Sequence, residues 1–141
     1  MMPTLRRRLA TAAVTLASAA GTVTLAAPAA HADTLNCLAD VYAVQLANSS
    51  AVQDDIANNP SAAAAEDAGS ATSRTQGIPT CYYNPDVPYS IYLDISSGFG
   101  YVSAAQSENT AGQTSTALSS GRTAATYLNT AVTYLESDTA P

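Results

Sequence analysis

The chain has no tryptophan and no lysine, one phenylalanine (Phe99) and one histidine (His31). Charged residues make up only 11% of it, and five of them are arginines. Large aliphatic side chains are also scarce. From Asp33 to Pro141 there are seven leucines, six valines and four isoleucines, which with Phe99 come to about 17% of that segment, a level that beside a high net charge borders on disorder. Without lysine there can be no Ser-Lys dyad and no lysine to grip a phosphate. The absence of lysine beside so much alanine suggests a high-GC bacterial coding bias.

What is present begins with a sorting signal. Arg6, Arg7 and Arg8 precede an apolar run from Leu9 to Ala27, diluted by Thr11, Thr15, Ser18, Gly21, Thr22 and Thr24, and Pro28 and Ala30-His31-Ala32 follow. This is the three-part layout of a cleaved secretory signal peptide, with the cut expected before Asp33. A membrane anchor is the competing reading, disfavoured by the hydroxyl-bearing residues and by the A-x-A site. Asn36 before Cys37 does not suit a lipoprotein, and Arg6-Arg7-Arg8-Leu9 loosely fits a twin-arginine address. Two parts are therefore expected: a leader over 1–32 and one small domain over 33–141, secreted or retained at the cell surface.

Cutting there changes the chemistry. All eleven acids lie beyond residue 32, with only Arg74 and Arg122 against them, a formal charge of −9. Nucleic acid and anionic lipid both require basic surface, so neither is an expected partner. His31 departs with the leader, which removes imidazole from any metal site and from any Ser-His-Asp or Cys-His constellation. Cys37 and Cys81 are the only cysteines, and in an exported chain they are expected to pair. Closing a loop of about 45 residues is worth roughly 4 kcal/mol on the chain-entropy account. No metal and no cofactor is expected.

The periodicity is helical. Leu35, Leu38, Tyr42, Leu46, Ser49, Val52 and Ile56 recur at three- and four-residue steps in a stretch, Thr34 to Asn58, free of glycine and proline, which predicts an amphipathic helix. Asn59-Pro60 supplies a cap and a first-turn proline for a second helix through Ala62 to Ala65; Gly69 interrupts it and Gly77-Ile78-Pro79 is expected to end it. Residues 77–89, with three prolines, read as loop. Ser90 to Val102 admits two readings: alternating Tyr89, Ile91, Leu93 and Ile95 suit a strand, whereas Ile91, Ile95, Gly98, Val102 and Ala105 share a helical face. Helix is favoured because a lone strand has no partner. In the last segment Thr110 and Gln113 form a T-x-x-Q capping box, and a narrow seam follows through Ala111, Thr114, Leu118, Gly121, Ala125, Leu128, Val132 and Leu135, flanked by Ala117, Ala124 and Ala131. The expected fold is mainly α: a small antiparallel bundle of three to four helices with one disulfide, its third segment carrying the β alternative. The last-helix seam serves core packing, with weak self-association as its other use.

Carboxylates are the remaining catalytic resource. Asp54/Asp55, Glu66/Asp67, Asp86, Asp94 and Glu108 are nominal candidates for glycoside hydrolysis, but adjacent residues on a helix point about 100° apart, and a solvated acidic face accounts for the pairs. Calcium is not indicated, since no EF-hand spacing occurs. Gly98-Phe99-Gly100 begins like a dinucleotide fingerprint and lacks its third glycine. The positive feature is aromatic: Tyr82, Tyr83, Tyr89, Tyr92, Phe99 and Tyr101 fall within twenty positions. Most of these rings are expected to fill a lean core, with Tyr82 and Tyr83 facing outward. Tyr82, Tyr83, Asp86 and Tyr89 form the candidate binding surface.

The function that fits is an exported, non-enzymatic binding or interaction module whose partner is an extracellular protein or surface ligand. The alternatives are a small carboxylate hydrolase and a self-assembling envelope or matrix protein. Intact mass spectrometry of the secreted protein should give a chain starting at Asp33 and two hydrogens lighter than its reduced form; a mass still carrying residues 1–32 would remove the export reading.

Overall fold

Asn59 accepts a hydrogen bond on its side-chain oxygen from the Ala62 amide, at 3.3 Å, and Pro60 occupies the first turn behind it, as the Asn-Pro pair predicts. The computed structural model describes residues 29–140, with side chains from residue 32 onward, so the leader expected over 1–32 lies outside the described residues but for its last few positions. Among the described residues there are five helical segments: α1 (Ala29–Ile56), α2 (Pro60–Gly69), α3 (Ala71–Tyr82), α4 (Tyr89–Thr110) and α5 (Thr114–Thr139).

They make four rods. Only Ser70 separates α2 from α3, and it keeps α-region dihedrals (φ −87°, ψ −2°), so the two form one rod bent at a Gly-Ser pair, a common cause of kinks. Cross-contacts set the directions. Asn48 and Gln45 of α1 meet Gly121 and Asn129 of α5, Gly98 of α4 meets Leu128 of α5, and Gly77 of α3 meets both Asp40 of α1 and Phe99 of α4. Each neighbouring pair therefore runs antiparallel, and the chain is an up-down-up-down bundle. The largest interface is α4 with α5, and α1 packs extensively on both α5 and the α2–α3 rod.

Two turns reverse the chain by the same device. Asn58 (φ 56°) follows α1 and Gly112 (φ 74°) follows α4. Around Gly112 the Gln113 amide donates to Glu108 O at 2.8 Å and the Gly112 amide to Asn109 O at 3.0 Å; around Asn58 the matching bonds run Asn59 to Asp54 and Asn58 to Asp55. These are Schellman closures, which need a left-handed residue and so favour glycine or asparagine. The predicted Thr110–Gln113 capping box does not form. Thr110 belongs to α4 and donates its hydroxyl to Gln106 O, and Gln113 makes no side-chain cap bond.

Three other expectations change. The strand alternative for the third segment is overturned, since Tyr89–Thr110 is continuous helix. Residues 77–82, expected in a loop, complete α3 with Pro79 inside it. An internal proline disfavours helix by about 3 kcal/mol; here burial of Gly77 against Phe99 and Asp40 and the crosslink at Cys81 offset that cost. Third, the predicted apolar face of α1 is largely rotated by about one residue, while that of α5 is shifted only in part. In α1 the buried residues are Thr34, Cys37, Leu38, Val41, Val44, Asn48, Ala51 and Asp55, and Ile56 is 62% exposed. In α5 they are Gly121, Leu128, Val132 and Leu135 of the predicted seam with the flanking Ala117, Ala124 and Ala131. Small residues take the centre so that the rods approach closely, and larger ones close the sides.

Cys37 and Cys81 are joined and fully buried, with Cα atoms 4.9 Å apart. The bridge ties the first turns of α1 to the last turn of α3. Around it lie Leu38, Val41, Val44, Ile95, Phe99, Val102, Leu128 and Leu135. Among the described residues no helix is long and apolar enough to cross a membrane.

Two glycines of α4 should respond oppositely to alanine. A Cβ on Gly98 would lie 2.7 Å from Leu128 Cδ2, whereas one on Gly100 meets nothing within 4 Å. Urea unfolding should show Gly98→Ala losing about 1–3 kcal/mol by overpacking and Gly100→Ala gaining about 0.5–1 kcal/mol from helix propensity.

Candidate functional site

The loop from Tyr83 to Pro88 is pinned from inside. Asn84 is buried; its amide nitrogen donates to Thr34 Oγ1 at 3.1 Å and its carbonyl oxygen accepts from the Asp86 amide at 2.9 Å. Val87 is also buried, and its amide donates to Asn84 O. Two inward anchors, three and six positions after Cys81, leave the neighbouring aromatic side chains no interior to enter. Tyr83 is 79% exposed, Tyr89 65% and Tyr82 51%.

These rings touch. Tyr82 meets Tyr83 edge-to-face at 5.0 Å between centroids and Tyr92 at 4.9 Å, and Tyr92 stacks on Tyr89 at 5.9 Å. Tyr92 is the inner member, half-buried against the core. The result is a connected four-tyrosine patch at the end of the bundle where α3 stops and α4 starts. Asp86, half-buried, sits in the loop between its two halves. The structure thus brings together Tyr82, Tyr83 and Tyr89 and adds Tyr92, with Asp86 in the loop that joins them and no contact shown between its side chain and the rings. The expectation that most of the six clustered rings fill the core is corrected: only Phe99 is fully interior, and Tyr101, 40% exposed, stacks on Tyr127 away from the patch. The pinning residues Asn84 and Val87 were missed, because a short polar side chain in a Pro/Asp loop reads as turn chemistry.

At the other end of the bundle lies a second cluster. Asp67 is fully buried and neither carboxylate oxygen has a hydrogen-bond partner. Asp55, also buried, accepts from Asn109 Nδ2 at 3.3 Å through one oxygen, and its other oxygen is unpartnered. The solvated acidic face expected of Asp54/Asp55 and Glu66/Asp67 is therefore half wrong, since the second member of each pair turns inward. Burial pushes the Asp67 carboxyl up to about 7; the Arg74 charge opposes this, and Asp55 and Glu66 add to it. Burial likewise raises Asp55, against the Asn109 hydrogen bond and with help from Asp54 and Glu108. Arg74 gives its hydrogen bonds elsewhere: Nη2 to Asp67 O and Gln106 Oε1, Nε to Ser70 Oγ, and Nη1 to Ser103 Oγ. It fastens the kink to α4. Among the described residues no group of three histidine, cysteine or acidic side chains is placed to hold a metal ion.

Comparison with protein-family models, with curated proteins and with solved structures finds no match for this chain.

Asp67 makes stability pH-dependent in a defined sense. With the folded carboxyl at about 7 and its ordinary value near 3.8, the folded state holds a proton that the unfolded chain releases, so this group's contribution falls as pH rises from about 4 to 7. Asp67→Asn should be more stable than the parent at pH 8, on the order of 2 kcal/mol, and nearly equal to it at pH 3.5, as read from urea midpoints.

Proposed function

We propose that the domain over residues 33–141 is an exported, non-enzymatic binding module that engages an extracellular protein or surface ligand through the tyrosine patch. The observation that carries this reading is the patch itself: Tyr82, Tyr83 and Tyr89 exposed, in ring contact through Tyr92, and held by a loop whose interior residues and disulfide leave it little freedom. Tyrosine supplies broad apolar area with a polar tip at small entropic cost, the property that enriches it at recognition surfaces. A soluble monomer rarely leaves several aromatic rings together in water without a use for them.

The hydrolase alternative needs a carboxyl of raised pKa in a cleft. Asp67 has the first property without the second: it is fully buried, and it lines neither the groove of α3 with α4, nor that of α1 with α5, nor that along α5. The buried seam of α5 is occupied within the chain by α1 and α4, so assembly through this helix would use its outer face. Export accords with the buried disulfide.

The test uses the oxidised chain immobilised and exposed to a surface extract of the cells that produce it, beside a Tyr83→Ser/Tyr89→Ser variant. Each ring is worth about 1–2 kcal/mol if it is an anchor, so a specific partner should be retained at least tenfold less by the variant while its helical circular dichroism is unchanged. Equal retention by both forms would sink the patch as the binding surface.

A further inference from the structure

Among the described side chains, the end of the bundle that carries the tyrosine patch holds four carboxylates and no cation. α5 runs antiparallel to α4 and so finishes where α4 begins, with Leu135 in the core around the disulfide, which brings Glu136 and Asp138 to this end. Asp33 is there too, since its neighbour Thr34 accepts from Asn84 of the loop at 3.1 Å. Asp86 is the fourth, in the loop itself. Asp33 and Glu136 are exposed, Asp86 and Asp138 half-buried, and none of these carboxylates enters a hydrogen bond or ion pair among the described residues. The two arginines of the domain are engaged or placed elsewhere. Arg74 spends its fork on Ser70, Asp67, Ser103 and Gln106, and Arg122 belongs to the first half of α5, toward the opposite end.

The rings share the preference of the acids. A tyrosine ring is negative on its faces and attracts a cation placed over them; a guanidinium, planar and weakly hydrated, stacks there better than an ammonium. Tyr92 lies across one face of Tyr89 with 28° between the planes, and Tyr89 is 65% exposed, so its other face is turned to water. Tyr82 and Tyr83 meet at 82°. Such an edge-to-face contact covers one face of one ring, and Tyr83 stays 79% exposed.

The same observations bear on the class of occupant. A second copy of this chain would bring four carboxylates against four, and nucleic acid or anionic lipid would be repelled likewise. Small molecules are held in concave sites, whereas Tyr82, Tyr83 and Tyr89 line neither the groove of α3 with α4, nor that of α1 with α5, nor that along α5. An open surface of tyrosine suits a protein, and arginine is the charged residue that protein interfaces favour beside it. We infer that the tyrosine end docks an arginine-bearing segment of a partner protein, one guanidinium stacked on the outer face of Tyr89 and the rest of the segment drawn in by Asp86, Asp33 and Glu136. This rests on the patch being the binding surface proposed above and adds the charge of its partner; complementary charge steers encounter and selects among partners.

The test is an NMR titration of the isotope-labelled, oxidised chain with acetyl-Arg-Gly-Arg-Gly-Arg-amide and with the lysine and glutamate peptides of the same pattern. The arginine peptide should saturate and move the ring signals of Tyr82, Tyr83 and Tyr89. The lysine peptide should bind about threefold more weakly, and the glutamate peptide not at all. Raising the salt from near zero to about 0.15 M, where charges are screened beyond about 8 Å, should weaken the arginine peptide at least threefold. Asp86→Asn should weaken it about threefold and Tyr89→Ser about tenfold, both with unchanged helical circular dichroism. No saturation by the arginine peptide, equal binding of the lysine peptide, indifference to Asp86→Asn, or shifts confined to Asp54, Glu66 and Glu108 at the other end would each overturn the inference. It fails separately from the reading it rests on. A partner from the surface extract that is lost with Tyr83→Ser/Tyr89→Ser, yet held equally at both salt levels and by Asp86→Asn, would keep the patch as the binding surface and make its occupant a neutral glycan or an uncharged polypeptide.

Discussion

The packing of α5 against α1 and α4 at glycine positions is the contact on which the bundle depends. Leu128 fills the space a side chain at Gly98 would take, and Val52 does the same at Gly121, where an added Cβ would lie 2.7 Å from its Cγ2. A chain this short of leucine, isoleucine and phenylalanine cannot build a thick core, so it gains burial by bringing helix backbones together. Ala117, Ala124 and Ala131 extend the same surface and are fully buried. Dispersion contacts and exclusion of water then come from many small groups at short range rather than from a few large ones. Every other feature is arranged about this three-helix contact: the bent rod of α2 and α3 lies on α1 and α4, and the tyrosine patch is at the bundle's end.

The disulfide has a narrower task. α3 is a poor helix on local grounds, with Gly77 and Pro79 near its centre, and it contacts α1 and α4 less extensively than α5 does. A covalent tie between Cys37 and Cys81 removes the freedom that would otherwise let this turn unwind, and it sets the start of the loop that carries Tyr82 and Tyr83. Asn84 and Val87 then set its course. The exposed rings follow from that anchoring: where the backbone is pinned from within at two points, the bulky side chains between and beside them have only the outside to occupy.

Polar burial is concentrated where the rods end. Asp55, Asp67 and Asn109 come from three different helices and meet where the α1–α2 turn, the Ser70 kink and the end of α4 lie together. Arg74 offsets part of the charge and spends its hydrogen bonds on the kink. Such an arrangement lowers stability at neutral pH, and the bundle carries it because the small-residue packing and the crosslink supply more than it costs. Asn48 in the α1/α5 seam is the same kind of group in a different setting, bonded to Gly121 O through Nδ2 and with Oδ1 shut in without a partner.

Much of the fold was legible. The absence of strand partners, the three- and four-residue apolar steps, Asn59-Pro60 and the two cysteines in an acidic chain led to a disulfide-linked helical bundle, and a tyrosine pair next to a Pro/Asp loop led outward. Composition and local propensity act over a few residues, and they determined helix type, the α2 cap and the material of the core. What only the tertiary structure decided is which side of α1 faces in and how far round α5 the buried face reaches; the face of α4 through Ile95, Gly98, Val102 and Ala105 is buried as its spacing predicts. Ranking by hydropathy puts Leu35, Leu46 and Ile56 of α1 and Leu118 of α5 on the buried face; close approach of the rods prefers Thr34, Asn48 and Ala117 at the centre and turns Ile56 to water. The helical persistence of Pro79, the burial of Asp67 and the exposure of Tyr89 belong to the same category, since each is settled by neighbours from a different helix. A helix can be rotated by one residue at little local cost, and only the shape of the facing helices distinguishes the alternatives.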